Sequence, residues 1–282
     1  MTDQWDRGRR VPGRTLLVGC GALGTKLGRR LVAEGADVIA LRRNTDGLPA
    51  EFATIADDLG IARQRELPAV DSVVITLPPG PAEGGLYRAS LTALAQGLPA
   101  RPSRVVFVSS TRVLEGRAGE TPLTEQTPPA PTSDRAQELL DGEVMASELF
   151  GACIVRPAGI YGPGRESLIR RVGEHAPVDH TRRTNRIHED DLVALLHAML
   201  TAGSPPPLIH AVDQAPASLG DVVSFIAERL GVEPPPHLDP ETGGGTVLDG
   251  SLMREFAGPL EFPSFREGYA RMLSETRRPQ PR

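Results

Sequence analysis

Residues 15–43 read TLLVGCGALGTKLGRRLVAEGADVIALRR. The apolar run 16–18 predicts a strand and residues 19–24 a tight glycine turn. The segment up to Gly35 has helical spacing of apolar residues, and 38–41 is a second strand closed by Arg42 and Arg43. The turn has the form GxGxxG, placed between a strand and a helix inside a strand–helix–strand unit. Gly19 permits the sharp exit from the strand, Gly21 lets backbone approach a pyrophosphate, and Gly24 lets the helix pack tightly on the sheet. The opening turn of that helix, with Ala22 and Leu23, turns unpaired N–H groups and the positive dipole end toward phosphates. A dinucleotide site is the reading this placement supports.

The end of the second strand selects the dinucleotide. An acidic residue there would accept hydrogen bonds from the ribose 2′-OH of NAD; this chain instead has Arg42 and Arg43, whose guanidiniums suit a 2′-phosphate. The expected cofactor is therefore NADP(H) in preference to NAD(H). The competing reading is a solvated basic pair at a strand end.

Thirty-one basic and 36 acidic residues give a formal charge of −5 over 282 residues, with the signs interspersed, so no nucleic-acid footprint is expected. The longest apolar stretches are strand-sized and the first residues lack an apolar signal core, so neither a membrane span nor a secretory signal is expected. Cys20 and Cys153, the two cysteines, read as buried small residues in a reducing compartment and not as a disulfide. The expected location is the cytoplasm.

Outward from the opening unit, residues 52–55 predict a third strand ending at Asp57 and Asp58. An Asp there either reaches the adenine amino group, the role given to Asp58, or caps a helix. The run 70–77 is the kind of strand buried on both faces of a parallel sheet, and it stops at Leu77 and Pro78 on the carboxyl edge where ligands bind. A helix is expected over 86–98 and a strand over 104–108 that opens onto Ser109, Ser110 and Thr111. A proline-rich loop, 121–131, precedes an N-cap cluster (132–134) for a helix to about Phe150, and 152–155 is a further strand. This alternation predicts an α/β fold, a Rossmann-like doubly wound parallel sheet, over 14–165.

Beyond it, 166–186 is basic and irregular, 187–191 opens an apolar helix, 208–212 is a short strand, and 218–230 is an amphipathic helix with Ser218 and Asp221 as a capping box. A Pro/Gly-rich loop over 234–245 and an aromatic terminal piece complete a smaller, mixed α/β C-terminal substrate lobe over 166–274, with the alternative that some of its elements return to the Rossmann sheet. Residues 1–13 are expected as a flexible arm and 275–282 as a flexible tail. The histidines lack metal-ligand spacing, so no metal is assigned.

GCGALG after the first strand, VFVSSTRVLEG after the fifth, VRPAGIYGPGR after the sixth, NRIHEDDL and the terminal FPSFREGYARML together resemble the extended short-chain dehydrogenase/reductase superfamily of NAD(P)-dependent epimerases and dehydratases, in its atypical bacterial branch. The resemblance runs from about Arg14 to Leu273. It implies a cofactor across the sheet edge, with Ser109 and Pro157 beside it, and a small-molecule substrate between sheet and lobe. It also implies a homodimer through helices 86–98 and 134–150.

The family's usual catalytic set is a Ser or Thr after the fifth strand and a Tyr-x-x-x-Lys pair on the next helix, where the tyrosine moves a proton and the lysine lowers its pKa. The motif places the hydroxyl at Ser110, with Thr111 beside it. Arg135 stands where the tyrosine is expected and Leu139 where the lysine is expected; the chain has no Tyr-x-x-x-Lys, and its only lysine is Lys26. Tyr161 and His188 are the candidate replacements in catalysis, each weighed against a packing or helix-entry role. Arg135, Arg165 and Arg186 are candidates for an anionic substrate group.

The leading expectation is an NADP(H)-binding oxidoreductase or epimerase-like enzyme acting on a small polar or carbonyl-bearing metabolite. One alternative is a non-redox cyclase, isomerase or dehydratase on the same fold. The other is a redox-silent NADP(H)-binding sensor.

Overall fold

The structure, a computed structural model, describes residues 12–61, 63–80, 86–239 and 244–276. Most of the expected arm (1–11) and tail (277–282), together with Pro81 and residues 240–243 of the Pro/Gly loop, lie outside the described residues.

In chain order the elements are β1 (Arg14–Val18), α1 (Ala22–Ala33), β2 (Asp37–Arg42), β3 (Ala53–Ala56), β4 (Ser72–Ile75), α2 (Leu86–Gly97), β5 (Arg104–Val108), α3 (Asp134–Phe150), β6 (Cys153–Pro157) and β7 (Gly159–Tyr161). There follow α4 (Ser167–Gly173), β8 (Arg183–Thr184), β9 (Arg186–His188), α5 (Glu189–Thr201), β10 (Leu208–Ala211), β11 (Ala217–Ser218), α6 (Leu219–Leu230), α7 (Ser251–Ala257) and α8 (Phe265–Thr276). Among the described residues no helix is long and apolar enough to cross a membrane.

The chain divides into two units. The first comprises residues up to Leu114, Pro129–Arg156 and Val193–Ile209; the second comprises Glu115–Pro128, Pro157–Leu192 and the chain from His210 onward. The units interleave, so they are not separated by a single cut at residue 165. The boundary expected there followed the change in composition, with later elements allowed to return to the sheet. Most of α5 and the start of β10 group with the first unit.

The first unit is built on a seven-stranded sheet in the order β10-β6-β5-β4-β1-β2-β3. The pairings from β3 through β2, β1, β4 and β5 to β6 are parallel. All four residues of β4 and residues 15–18 of β1 are buried, as expected of strands covered on both faces. Because β1 lies between β2 and β4, the chain reverses its direction of travel across the sheet there. A crevice opens at that switch point beyond the carboxyl ends of the strands. α1 follows at once, and Gly19 makes the turn possible. Its φ is +78°, and a Cβ at this position would stand 3.0 Å from the backbone nitrogen of Leu77. α3 is capped as its sequence predicts: Ser133 Oγ accepts from Ala136 N at 3.3 Å, and Gly151 ends the helix in the left-handed conformation.

The second unit has its own apolar core, in which Val222, Val223 and Ile226 of α6 meet Phe265, Tyr269 and Met272 of α8. α6 has the expected capping box, with Ser218 Oγ accepting from Asp221 N at 3.0 Å. Three features here depart from the expected elements. The stretch read as irregular contains α4, a seven-residue helix with one fully buried side chain, Val172, and no side-chain cap, so neither periodicity nor a cap marked it. Residues 186–188 are strand β9, paired in parallel with β7, and the helix begins only at Glu189. α7 and α8 also go beyond the expected terminal piece, whose helical periodicity is interrupted by Gly258, Pro259 and Pro263.

Candidate functional site

A cavity of about 500 Å³ opens in the first unit at the switch point of the sheet. The glycine turn (Gly19, Cys20, Gly21) forms its floor, and the ends of three strands form its walls: Leu41 to Asn44 after β2, Asp57 to Ile61 after β3, and Leu77 with Pro78 after β4. Leu86 and Ser90 of α2 close it. A cavity of this size, largely apolar with a few convergent polar groups, matches the general form of a cofactor site.

The turn is braced from both sides. Gly19 N donates to the Leu41 carbonyl at 2.9 Å, and Thr76 Oγ1 donates to the Gly19 carbonyl at 3.0 Å. Over Gly21 the space is open: a Cβ built there would meet nothing nearer than the Gly19 carbonyl oxygen at 3.8 Å. Burial pushes the Cys20 thiol pKa up, so the floor carries no thiolate. Arg42 is half-buried and its Nη1 donates to the Cys20 carbonyl at 3.1 Å, while Arg43 beside it is exposed. The open backbone and the new helix N-terminus are a donor set that fits a dinucleotide.

The wall after β3 differs from the simplest expectation. Asp57 is buried, and its carboxylate takes a hydrogen bond from Arg65 Nε at 2.7 Å and another from Arg63 Nη2. Burial raises its pKa, but the hydrogen bonds and charges of Arg65 and Arg63 outweigh this and hold it below the usual carboxylate value. Asp58 is half-buried and lines the cavity, with Oδ1 accepting from Gly60 N at 2.9 Å. On the other side, Tyr87 Oη donates to the Leu77 carbonyl at 2.8 Å, and its backbone N–H is taken by Glu138 of α3 at 3.0 Å.

Beyond β5 the three hydroxyl residues have separate environments. Ser109 is buried and donates to Glu143 Oε1 at 2.6 Å; the same carboxylate receives Arg156 through Nε at 2.8 Å and Nη2 at 2.6 Å. Ser109 is thus fastened into a buried ionic network. Ser110 is half-buried, its Oγ accepting from Arg112 N at 3.2 Å, and Thr111 opens the short 3₁₀ turn Thr111–Leu114. On α3, Arg135 is exposed and Leu139 is buried.

The remaining candidates belong to the second unit. Tyr161 is 3% exposed, stacked on Tyr269 at 4.7 Å and edge-on to His188 at 5.2 Å. Its Oη donates to the Ser264 carbonyl at 3.3 Å, and burial, aided by the charge of Asp213, raises its pKa well above the usual phenol value. His188 is buried against Phe262, with ring centroids 3.8 Å apart, and its Nδ1 accepts from Asp190 N at 3.2 Å. A neutral ring therefore carries its proton on Nε2. Arg165 stands 3.6 Å from the buried carboxylate of Glu189. Arg186 is buried and donates to Thr184 Oγ1 at 2.8 Å, with Asp213 and Tyr269 as electrostatic neighbours.

Of the sequence-derived cofactor residues, Gly19, Gly21, Arg42, Arg43, Asp58, Leu77 and Pro78 line one cavity. Ala22, Leu23 and Gly24 form the first turn of α1, and Pro157 ends β6. Sequence reasoning passed over Thr76, Arg65, Tyr87, Glu138 and Glu143. Their partners lie on distant strands and helices, and only the proximity of Asp57 to Arg63 and Arg65 left a local signal.

No family model matches the chain. It is 27% identical over 267 residues to Protein YeeZ of Escherichia coli strain K12, an alignment covering 89% of this chain and 96% of that one. It is 26% identical, over 77% of its own length and 79% of the other, to the dTDP-6-deoxy-L-talose 4-dehydrogenase (NAD(P)(+)) of Kitasatospora kifunensis. Among solved structures, a protein of Methylobacillus flagellatus provisionally designated an NAD-dependent epimerase/dehydratase superposes with a TM-score of 0.78 at 26% identity, over 95% of this chain and 100% of that one. The chain has the extended short-chain dehydrogenase/reductase fold. Within that fold it resembles the NAD-dependent epimerase/dehydratases.

Proposed function

We propose that this chain is an NADP(H)-dependent oxidoreductase or epimerase-type enzyme whose substrate is a carbonyl-bearing metabolite of the nucleotide-sugar class. The observation that carries the cofactor reading is the pair Arg42 and Arg43 at the cavity end of β2, where an NAD enzyme would carry a carboxylate. The substrate class is supported by the named activity of the dTDP-sugar 4-dehydrogenase relative.

Gly19, Gly21 and the first turn of α1 would hold the pyrophosphate, Arg43 the 2′-phosphate, and Asp58 with Leu59 and Ile61 the adenosine. When bound, the nicotinamide supplies hydride transfer. Ser110, whose hydroxyl is not fixed in the buried network as Ser109's is, donates a hydrogen bond to the substrate oxygen. Within the second unit His188 is the candidate proton donor and Arg165 a candidate cation for an anionic substrate group, whereas Tyr161 and Arg186 are buried and already bonded. Within the first unit the exposed Arg135 is the candidate cation.

Titration of the intact chain with reduced cofactors, followed by nicotinamide fluorescence, tests this reading. NADPH should bind about tenfold or more tightly than NADH, the factor one charge-assisted hydrogen bond supplies. Equal affinities would remove the arginine argument.

A second reading is favoured by one observation, the absence of any Tyr-x-x-x-Lys and of any lysine besides Lys26. On that reading the bound dinucleotide serves non-redox chemistry, such as an isomerisation or a dehydration. Turnover of a nucleotide sugar with a redox-inert dinucleotide analogue bound in place of the natural cofactor would select it, because an epimerase that removes and returns a hydride would then be inactive.

A further inference from the structure

The wall of the cofactor cavity after β3 is a five-residue stretch, Asp57 to Ile61, whose backbone groups no strand or helix pairs in full. One side chain, Arg65, gathers it. Arg65 is only 4% exposed in its side chain. Its Nε donates to Asp57 Oδ2 at 2.7 Å, its Nη2 to the carbonyls of Asp58 at 2.6 Å and Ile61 at 2.7 Å, and its Nη1 to the carbonyl of Arg63 at 3.0 Å. The planar guanidinium thus meets four groups along one loop, a fan that an ammonium cannot reproduce. The loop is tied in turn to the cationic edge of the cavity, because Asp57 N donates to the Arg42 carbonyl at 3.2 Å. Arg65 itself is not among the residues lining the cavity.

We propose that Arg65 is a positioning residue for the adenosine half of the cofactor: by clamping Asp57 to Ile61 it fixes the cavity wall against which the adenosine packs. This rests on the dinucleotide reading of the cavity. It also assigns Asp57 to the clamp and leaves Asp58 as the wall's carboxylate toward a ligand.

The test compares the full chain with Arg65→Lys and with Arg63→Ala, using three probes: NADPH, 2′,5′-ADP and reduced nicotinamide mononucleotide. The proposal expects Arg65→Lys to weaken 2′,5′-ADP and NADPH by about tenfold, the worth of one lost charge-assisted hydrogen bond, with the mononucleotide unchanged. Arg63→Ala, which leaves the four Arg65 bonds in place, should change none of the three by more than about twofold, because the Arg63 guanidinium is largely exposed and Arg65 still holds Asp57. Unchanged 2′,5′-ADP affinity in Arg65→Lys overturns the clamp, and so does an equal loss of all three probes. Should Arg65→Lys fail to fold, Asp57→Asn carries the same comparison, and unchanged 2′,5′-ADP affinity there overturns the clamp likewise. If the unaltered chain binds no 2′,5′-ADP, the dinucleotide reading falls, a result separate from any variant's.

Discussion

Arg42 Nη1 donates to the carbonyl of Cys20 at 3.1 Å, so the first of the two arginines at the end of β2 holds the glycine turn while the second stands exposed at the cavity rim. The two should therefore fail differently. On the proposed NADP(H) reading, Arg43→Gln is expected to lower NADPH affinity by about tenfold with NADH unaffected, since it would remove only the charge-assisted contact proposed to the extra phosphate. Arg42→Gln loosens the turn under the pyrophosphate and should weaken NADPH and NADH together. Fluorescence titration of both variants with both cofactors checks this, and a selective loss in Arg42→Gln alone would reverse the assignment.

Ser110→Ala should lower turnover on any substrate the chain accepts while leaving NADPH affinity and the urea midpoint unchanged, because its hydroxyl takes only the local bond from Arg112 N. Ser109→Ala should do the opposite, costing stability through the buried Glu143 network. Equal turnover in Ser110→Ala and the parent would remove Ser110 from the chemistry.

Glu143 and Arg156 form a buried ion pair in the first unit, with Ser109 as a third member. Removing one partner leaves an uncompensated buried charge, so Glu143→Ala is expected to cost about 3–5 kcal/mol in urea unfolding. The double variant Glu143→Leu with Arg156→Met should recover most of that loss, because an apolar pair of similar volume leaves no charge behind. A loss in the double variant equal to the sum of the singles would show that the charges do not interact.

In the second unit Asp213 is 1% exposed, and burial pushes its carboxyl pKa up to about 7 despite the bond from Ala215 N and the charge of Arg186. Its Oδ2 has no hydrogen-bond partner, and the charges acting on it are those of Arg186, Asp191 and Glu267. The folded state therefore keeps a proton that the unfolded chain loses near the ordinary carboxylate pKa. Stability from this group is present at the acid end and declines as pH rises from about 4 to about 7, by up to about 4 kcal/mol. Asp213→Asn should flatten the decline measured by urea unfolding between pH 5 and pH 8. An unchanged slope would mean that Asp213 ionises as an ordinary carboxyl.

Gly268 lies against Tyr161 so closely that an added Cβ would stand 2.1 Å from the phenol oxygen and 2.4 Å from Cε2. Gly268→Ala is expected to cost about 1–3 kcal/mol by overpacking. Tyr161→Phe should not rescue it, because the ring carbon remains in the way, whereas Tyr161→Leu should.

The opening unit of the fold was legible because its determinants are local. A glycine turn between two apolar runs specifies β1, α1 and β2, and the arginines that follow occupy a fixed place relative to that turn. Ser133 and Ser218 marked helix starts for the same reason, each cap being made within three residues of itself. What escaped the sequence is long-range. Thr76 braces a carbonyl 57 residues away, and Glu143 joins groups from two strands. The His188 ring was ambiguous in sequence; in the structure its Nδ1 takes a backbone N–H at the entry of α5. α7 and α8 were hidden by the glycine and prolines between them.

The clamp at Arg65 reaches the cavity wall through two main-chain carbonyls, those of Asp58 and Ile61, and the Asp57 carboxylate. Main-chain carbonyls are present whatever the side chain, so the clamp does not depend on the identity of the exposed Ile61, whereas Leu59 is buried and a Cβ at Gly60 would stand 3.0 Å from Leu86 Cδ1. Position 61 can therefore change without the loop losing its course, while a single change at Arg65 would release the whole stretch. A search for altered ligand preference along this wall should randomise residue 61 and leave Leu59, Gly60 and Arg65 untouched.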